Sequence, residues 1–323
     1  MILTILEHDR GALDSAAPEA LAIAQSIAQQ TGSPLAAALV GGDEAVAAGL
    51  GAYGVQTVTL VAHDRLGSYI PEAWGCALAL LVEKLQPEAV VAAGTDRGNE
   101  LLAHIAARTG LPLAANVTAV QSGSPYRVTR VRWGGSLLEE AELDGSPALM
   151  TVALHTVEPA AAGASLSPAI ESFTPELDER AFRVRLVEQA AAREQGVSLA
   201  SAPVVVGGGR GVGSAEGFTL LEELAALLGG AVGGSRVVTN LGWRPHADQI
   251  GQTGTRIAPE LYIACGISGA IQHMVGARGS KQILAINSDP DAPIMAKANY
   301  TVAGDLHEVL PALIAEIKKA KGL

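Results

Sequence analysis

Residues 204–218 read VVVGGGRGVGSAEGF, and this stretch decides the fold of the last third of the chain. A run of three valines breaks into three glycines, and residues 217–228 then carry apolar side chains at helical spacing. Strand, tight turn and helix in that order make the repeating unit of a parallel sheet. Further apolar runs follow, each leading into a glycine-rich or polar segment. These segments are GGSRVVTNLGWRPHADQIGQTG from 233, CGISGAIQH from 265, INSDPDAPI from 286 and GDLHEV from 304. In a parallel α/β sheet such segments collect at the carboxyl ends of the strands, the edge where open sheets bind ligands.

Working outward, the same alternation fills the beginning of the chain. Residues 2–7, 34–40, 55–62 and 89–93 read as buried strands, and 18–30, 43–49, 71–85 and 98–108 as helices. Asp43 caps the second of these helices. Between 116 and 157 the pattern changes to four short β-like runs, VTAVQ, YRVTRVRW, SLLEEAEL and ALMTVAL, separated by SGSP, GG and DGSP. We read them as a meander of hairpins extending the parallel sheet. Residues 158–177 read as a loop, 182–187 as one more strand and 190–201 as an interdomain linker. In the last third, strands are expected at 203–206, 231–238, 260–265, 282–286 and 300–302. Helices are expected at 217–228, 268–275, 292–297 and 306–319. The fold class is therefore α/β with two domains, 1–194 and 195–323, each a mainly parallel sheet flanked by helices.

Composition supports this layering. Hydrophobic residues make up 49% of the 323 and charged residues 17%, so a sizeable core can form. A net charge of −11 argues against nucleic acid or an anionic membrane as partner. Cys76 and Cys265 stand far apart without metal-ligand spacing and read as small buried hydrophobes. MILTILEHDRG lacks the basic start of a signal peptide, and no stretch reaches the roughly 18 apolar residues of a spanning helix. The expectation is a cytoplasmic protein without direct membrane insertion.

The chemistry-bearing residues lie at the strand ends of the last third. The loop at 207–213 carries Arg210 among glycines, suited either to phosphate or simply to a tight turn. Its register is not G-x-G-x-x-G, because Val212 stands where the third glycine would fall from Gly207, and no Walker A sequence occurs. The next strand ends without the acid that nicotinamide-binding domains place there. Ser235 and Arg236 come next, Arg236 reaching either a ligand or the solvent. Gln249, Ile250, Gly251, Gln252, Thr253 and Gly254 combine two amides and a hydroxyl in one loop, a donor set for a heteroaromatic ring. Ser268 is read as the N-cap of a helix whose free amides attract an anion, with His273 one turn in. Asn287 and Asp305 end the last two strands, Asp305 either capping the final helix or holding ribose. No nucleophile–base pair or metal cluster stands out, which suits a cofactor that does its own chemistry.

These motifs, GGGRGVGS, GSR followed by GW, QIGQTGTRIAPELYIACGISGAIQH, AINSDPDAPI and GDLHEVLP, closely resemble the flavin domain of the electron-transfer flavoprotein alpha-subunit family. GTDRGNELLAHIAARTGLPLAANV resembles its first domain more loosely, so the resemblance spans the chain. It implies a Rossmann-like, DHS-like second domain holding FAD and a heterodimer with a beta subunit, itself a candidate AMP binder. Electrons would pass from dehydrogenases, such as acyl-CoA dehydrogenases of fatty acid β-oxidation, to a membrane quinone oxidoreductase or other acceptor. It places Arg236 over the flavin, Thr253 at N5 and His273 near the pyrimidine carbonyl, with Arg210 close by. Ser235, Gln249, Ile250, Gly251, Gln252, Ser268, Gly269, Ala270, Ile271 and Gln272 would line the ring, ribityl chain and pyrophosphate. Asn287, Asp305 and Leu306 would hold the adenosine end. A guanidinium and an imidazole donor near N1 and the C2 carbonyl would favour anionic reduced flavin. The sequence departs from many family members in Asn240, where they carry Asp, and in His246 and Asp248 before the GQTG segment. The alternatives are a bifurcating form that also oxidises NADH, a nicotinamide-dependent oxidoreductase or nucleotide hydrolase, and a structural subunit with an empty site.

Overall fold

The computed structural model describes residues 1–9, 11–158, 166–184, 186–187 and 198–323. Two compact units divide the chain at Ala190 and Ala191. In the first, β1 (Ile2–Ile5) is followed by a two-residue hairpin, β2 (His8–Asp9) and β3 (Ala12–Leu13). Next come α1 (Ala17–Thr31), β4 (Leu35–Val40), α2 (Glu44–Gly49), β5 (Thr57–Val61), α3 (Pro71–Leu85), β6 (Ala89–Ala93) and α4 (Asp96–Thr109). β7 (Leu113–Gln121), β8 (Tyr126–Arg132), β9 (Leu137–Leu143), β10 (Ala148–Val152) and β11 (Ala169–Phe173) complete it.

Nine of the strands form one sheet in the order β11-β5-β4-β1-β6-β10-β7-β8-β9, antiparallel only along β7-β8-β9, while β2 and β3 pair antiparallel with each other alone. β1, β4, β6 and β10 are buried along their whole length, as continuous apolar runs in a parallel sheet must be. Alternate side chains serve opposite faces. Ile2, Leu35 and Val91 join the cluster under α1, while Leu3, Ala36 and Val90 join the one under α3 and α4. β8 and β9 alternate buried and open positions, as antiparallel strands with one wet face do.

Only part of the expected meander forms. ALMTVAL does not pair with its predecessor; β10 returns into the sheet between β6 and β7, parallel to both. Its uninterrupted apolar character is the reason, because only the interior of the sheet buries both faces. The expected loop at 158–177 contains the edge strand β11, parallel to β5, and residues 159–165 of it lie outside the described residues. Residues 182–187 do not form a strand. Phe182 ends a helical turn, Glu179–Phe182, opened by Asp178, and Arg185 lies outside the described residues. The expected linker at 190–201 lies outside them as far as residue 197.

Glu7, just past β1, accepts a hydrogen bond from the Thr95 hydroxyl, which in turn caps α4 by accepting from the Gly98 amide. Burial raises the Glu7 carboxyl pKa above 4.5, against the lowering effect of Thr95. An acid whose pKa is higher folded than unfolded contributes stability that is present below the unfolded value and lost as pH rises through the folded one. Glu7→Gln, which keeps the acceptor, should therefore gain melting temperature over the parent chain as the pH is taken from about 4 to about 7. A difference that stays flat across that range would contradict the assignment.

The second unit is built of β12 (Val204–Gly208), α5 (Phe218–Leu228), β13 (Ala231–Gly234), α6 (Arg236–Asn240), β14 (Leu261–Cys265), α7 (Ile271–Ala277), β15 (Gln282–Asn287), β16 (Tyr300–Ala303) and α8 (Leu306–Lys321). All its pairings are parallel, in the order β13-β12-β14-β15-β16. This is the doubly wound 2-1-3-4-5 order, whose switch point falls between β12 and β14. Three expectations are corrected here. The second strand stops at Gly234 instead of running to 238, because Ser235 turns the chain into α6. The helix expected from Ser268 begins at Ile271. Residues 292–297 yield only a single turn, Met295–Lys297. No helix among the described residues is long and apolar enough to cross a membrane.

Candidate functional site

At the switch point the ends of β12 and β14 meet without side chains between them. The Gly209 amide donates to the Cys265 carbonyl at 2.8 Å, and the Gly211 amide to that of Gly266 at 3.1 Å. A Cβ on Gly209 would lie 2.2 Å from the Gly266 carbonyl oxygen. The glycines of this loop thus serve backbone-on-backbone packing first. Above them opens a cavity of about 580 Å³.

Five segments supply its walls. From the β12 end come Gly209, Arg210 and Gly211; from α6, Ser235, Arg236 and Val237; from the long loop, Gln249, Ile250, Gly251, Gln252 and Thr253. From β14 and β15 come Gly266, Ile267, Ser268, Ala270, Gln272, His273, Asn287, Asp289 and Ala292. Of the residues expected to hold the cofactor, Gly269, Ile271, Asp305 and Leu306 do not line it. Gly269 takes a left-handed backbone against Ile294, and Ile271 is exposed at the start of α7. Asp305 caps α8 by accepting from the His307 amide, and Leu306 is buried in the core. Sequence reading had not marked Val237 or Ala292, whose apolar side chains carry no local signal. Gly209, Gly211, Gly266, Ile267 and Asp289 sat inside the quoted motifs without being singled out.

The charged groups are placed unevenly. Arg236 is the first residue of α6, and neither Arg236 nor Arg210 pairs with an acid among the described residues. Arg244 nearby is consumed by Asp248, at 2.7 Å, and Glu222, at 2.5 Å. His246 and Asp248, singled out earlier in the loop before GQTG, thus belong to a turn held by Arg244 outside the cavity wall. Gln249 is buried and bridges the loop to α6: its Oε1 accepts from the Thr239 hydroxyl and its Nε2 donates to Thr253 Oγ1, each at 3.0 Å. Because the Thr253 oxygen accepts, its proton is left to donate elsewhere.

An anion seat forms just before α7 rather than at a Ser268 cap. The carbonyls of Ile267, Ser268 and Gly269 turn away toward Asn287 Nδ2, the Ile294 amide and Lys297 Nζ. Across a planar trans peptide the next amide points the opposite way. The amides of Ser268, Gly269 and Ala270 donate to no group among the described residues, which leaves them available to an anion. Asn287 is engaged at both ends, since its Oδ1 also accepts from the Asp289 amide. It braces the seat. His273, at the cavity floor, is buried and bonded through Nε2 to the Tyr262 hydroxyl at 2.7 Å. Burial lowers its pKa to about 4, the Ile250 backbone carbonyl acting in the opposite direction.

A doubly wound parallel domain with free amides, two arginines that pair with no acid among the described residues and a cavity of mixed polar and apolar lining at its switch point is a cofactor-binding α/β domain. Residues 198–278 match the electron transfer flavoprotein FAD-binding domain, and residues 2–178 the electron transfer flavoprotein domain. Over 326 residues the chain is 40% identical to the electron transfer flavoprotein subunit alpha of Mycobacterium tuberculosis, covering 99% of each. It is 36% identical to that of Thermoanaerobacterium thermosaccharolyticum, covering 98% of this chain and 97% of the relative. It is 35% identical to the protein FixB of Clostridium saccharobutylicum, covering 97% and 95%. The chain belongs to the electron transfer flavoprotein alpha-subunit family, and its cofactor is FAD. The site fits that group, since the free amides suit a pyrophosphate and the Gln249–Thr253 loop a ring edge.

Proposed function

We propose that this chain is the FAD-binding subunit of a heterodimeric electron carrier. It would pair with a beta subunit through its first domain, 1–194, and present FAD from its second, 195–323. The observation that carries the reading is the concentration of hydrogen-bond donors and unpaired guanidinium groups at the switch point of the second unit. Bound there, FAD takes up and releases one or two electrons. The chain's own residues hold and tune it. The amides of Ser268, Gly269 and Ala270 receive the pyrophosphate. Arg236 offers positive charge where reduction adds negative charge. Thr253 donates its free proton, and Gln249 fixes where that hydroxyl stands. Asp305 and Leu306 would approach the adenosine end beyond the cavity rim. The donors would be dehydrogenases, acyl-CoA dehydrogenases among them, and the acceptor a quinone-linked or other oxidoreductase in the cytoplasmic setting.

The test is co-expression with a beta-type subunit of the same family, followed by stepwise reduction under the spectrophotometer. Flavin bands that bleach with a dehydrogenase and return with an acceptor are expected. Direct bleaching by NADH would favour the bifurcating form, and turnover of NADH with one small substrate a nicotinamide-dependent oxidoreductase. A colourless complex that takes up no FAD would overturn the reading.

A further inference from the structure

Thr239 lies near the end of the short helix α6 and does not line the cavity, yet its side chain is joined to the cavity wall through one intermediary. Its Oγ1 stands 3.0 Å from Gln249 Oε1 and 3.0 Å from the backbone carbonyl of Arg236, one turn back on the same helix. Gln249 is buried, and its Nε2 lies 3.0 Å from Thr253 Oγ1. Thr253 belongs to the wall. The three side chains thus form one relay, from the helix that carries Arg236 to a hydroxyl at the cavity.

A hydroxyl has one proton, and that of Thr239 has two acceptors within reach, so the relay can run in two ways. In the first, Thr239 donates to Gln249 Oε1, Gln249 Nε2 donates to Thr253, and the Thr253 proton is offered to the cavity. In the second, the amide is turned end for end, which leaves its shape unchanged. Gln249 Nε2 then donates to Thr239, Thr239 donates to the Arg236 carbonyl, and Thr253 donates to Gln249 Oε1. A lone pair of Thr253 is then offered to the cavity. All three side chains are engaged in both arrangements. The Arg236 carbonyl makes the second possible, because it takes the Thr239 proton that Gln249 no longer accepts.

We infer that Thr239 is a positioning residue that lets Thr253 serve its ligand as hydrogen-bond donor or acceptor, by reversal of the Thr239–Gln249–Thr253 relay. No proton changes owner in the reversal; two hydroxyls rotate and one amide turns. The inference rests on the FAD reading for a ligand that needs both. A nitrogen at the edge of the flavin ring accepts a hydrogen bond when oxidised and carries a hydrogen when fully reduced. A fixed donor would match one state only, whereas the relay matches each in turn.

The test is made on the FAD-loaded heterodimer. Thr239→Val keeps the side-chain shape and removes the hydroxyl. Among buried amides an unpaired N–H is rarer than an unpaired carbonyl, which has two lone pairs. The first arrangement should therefore prevail in the valine variant, with Thr253 held as a donor. The reduced cofactor should then be bound about tenfold more weakly relative to the oxidised one, the effect of one hydrogen bond. For a two-electron couple this is a fall of about 30 mV in midpoint potential. Thr239→Ser, which keeps the hydroxyl, should retain the parent potential. An unchanged potential in the valine variant, or a serine variant that behaves like it, would overturn the inference. A second measurement needs no change at Thr239. Nuclear Overhauser contacts from the Gln249 side-chain amide protons, assigned by their loss in Gln249→Met, should be strongest to Thr253 in the oxidised protein and to Thr239 in the reduced one. The same neighbour in both states would overturn the reversal. A heterodimer that takes up no FAD would remove the flavin reading and this inference with it, whereas one that binds FAD and fails either measurement would remove the relay alone.

Discussion

Gly209→Ala should destabilise the second domain by about 3 kcal/mol or more, a large effect for one methyl group. The added carbon would meet the Gly266 carbonyl oxygen at 2.2 Å and the Ile267 Cα at 2.7 Å. Both are backbone atoms, so no rotamer change relieves the clash, and β12 and β14 would have to part. They are held in register by Val204–Gly208 against Leu261–Cys265 and continue through the Gly209 amide to the Cys265 carbonyl. Parting them loosens the strand ends that carry both the Arg210 wall and the free amides, so FAD uptake should be lost with stability. Urea unfolding followed by far-ultraviolet dichroism, with FAD fluorescence as a second probe, reads both. Gly49→Ala serves as the control, because a Cβ there meets nothing within 4 Å and the substitution should be neutral or slightly stabilising. Equal stability of the two variants would show that the strand ends part at no cost.

The same contact shows what the sequence made legible and what it did not. Strand–turn–helix order and the parallel sheets follow from periodicity and glycine placement, and both are present, with a cavity opening at the strand ends of the second unit. The purpose of individual glycines was not legible. A glycine clearing space for Tyr262, or for the backbone of Gly266, looks the same in sequence as one admitting a phosphate, since the neighbour it clears lies some 50 residues away. The end of β13 was misplaced for a related reason. AVGGSRVV returns to valines after Ser235 and Arg236, and only the amide of Ser235 reaching the Gly208 carbonyl shows where the strand gives way to α6. ALMTVAL and AIESF were misassigned because strand neighbours in a doubly wound sheet are set by crossovers, which leave no local trace. Thirteen of the seventeen residues expected to hold the cofactor line the cavity. The other four, Gly269, Ile271, Asp305 and Leu306, serve turn, helix start, cap and core, uses that look the same in sequence as ligand contact.

Arg236→Ala should weaken FAD binding by between about 10- and 100-fold, the range expected when a charged hydrogen-bond donor is removed from a binding site. Arg236, like Arg210, pairs with no acid among the described residues. Arg244, a few residues on, is fixed by Asp248 and Glu222 and serves the fold, so Arg244→Ala should cost stability instead. Arg236 projects from the first turn of α6, beside Ser235 and Val237 at the cavity wall, and no acid among the described residues neutralises it. Its charge acts more strongly on a flavin ring that has gained negative charge than on the neutral oxidised ring. The midpoint potential of bound FAD should therefore fall in the alanine variant. Arg236→Lys should restore most of the potential, which needs only the charge, but less of the affinity, which depends on the planar fork of donors. Because Arg236 is exposed, both effects should shrink as salt rises. Potentiometric titration at two ionic strengths, with FAD affinity measured by fluorescence quenching, separates these contributions. An alanine variant with unchanged affinity and unchanged potential would move Arg236 off the cofactor, leaving Arg210 as the remaining unpaired guanidinium in the cavity wall.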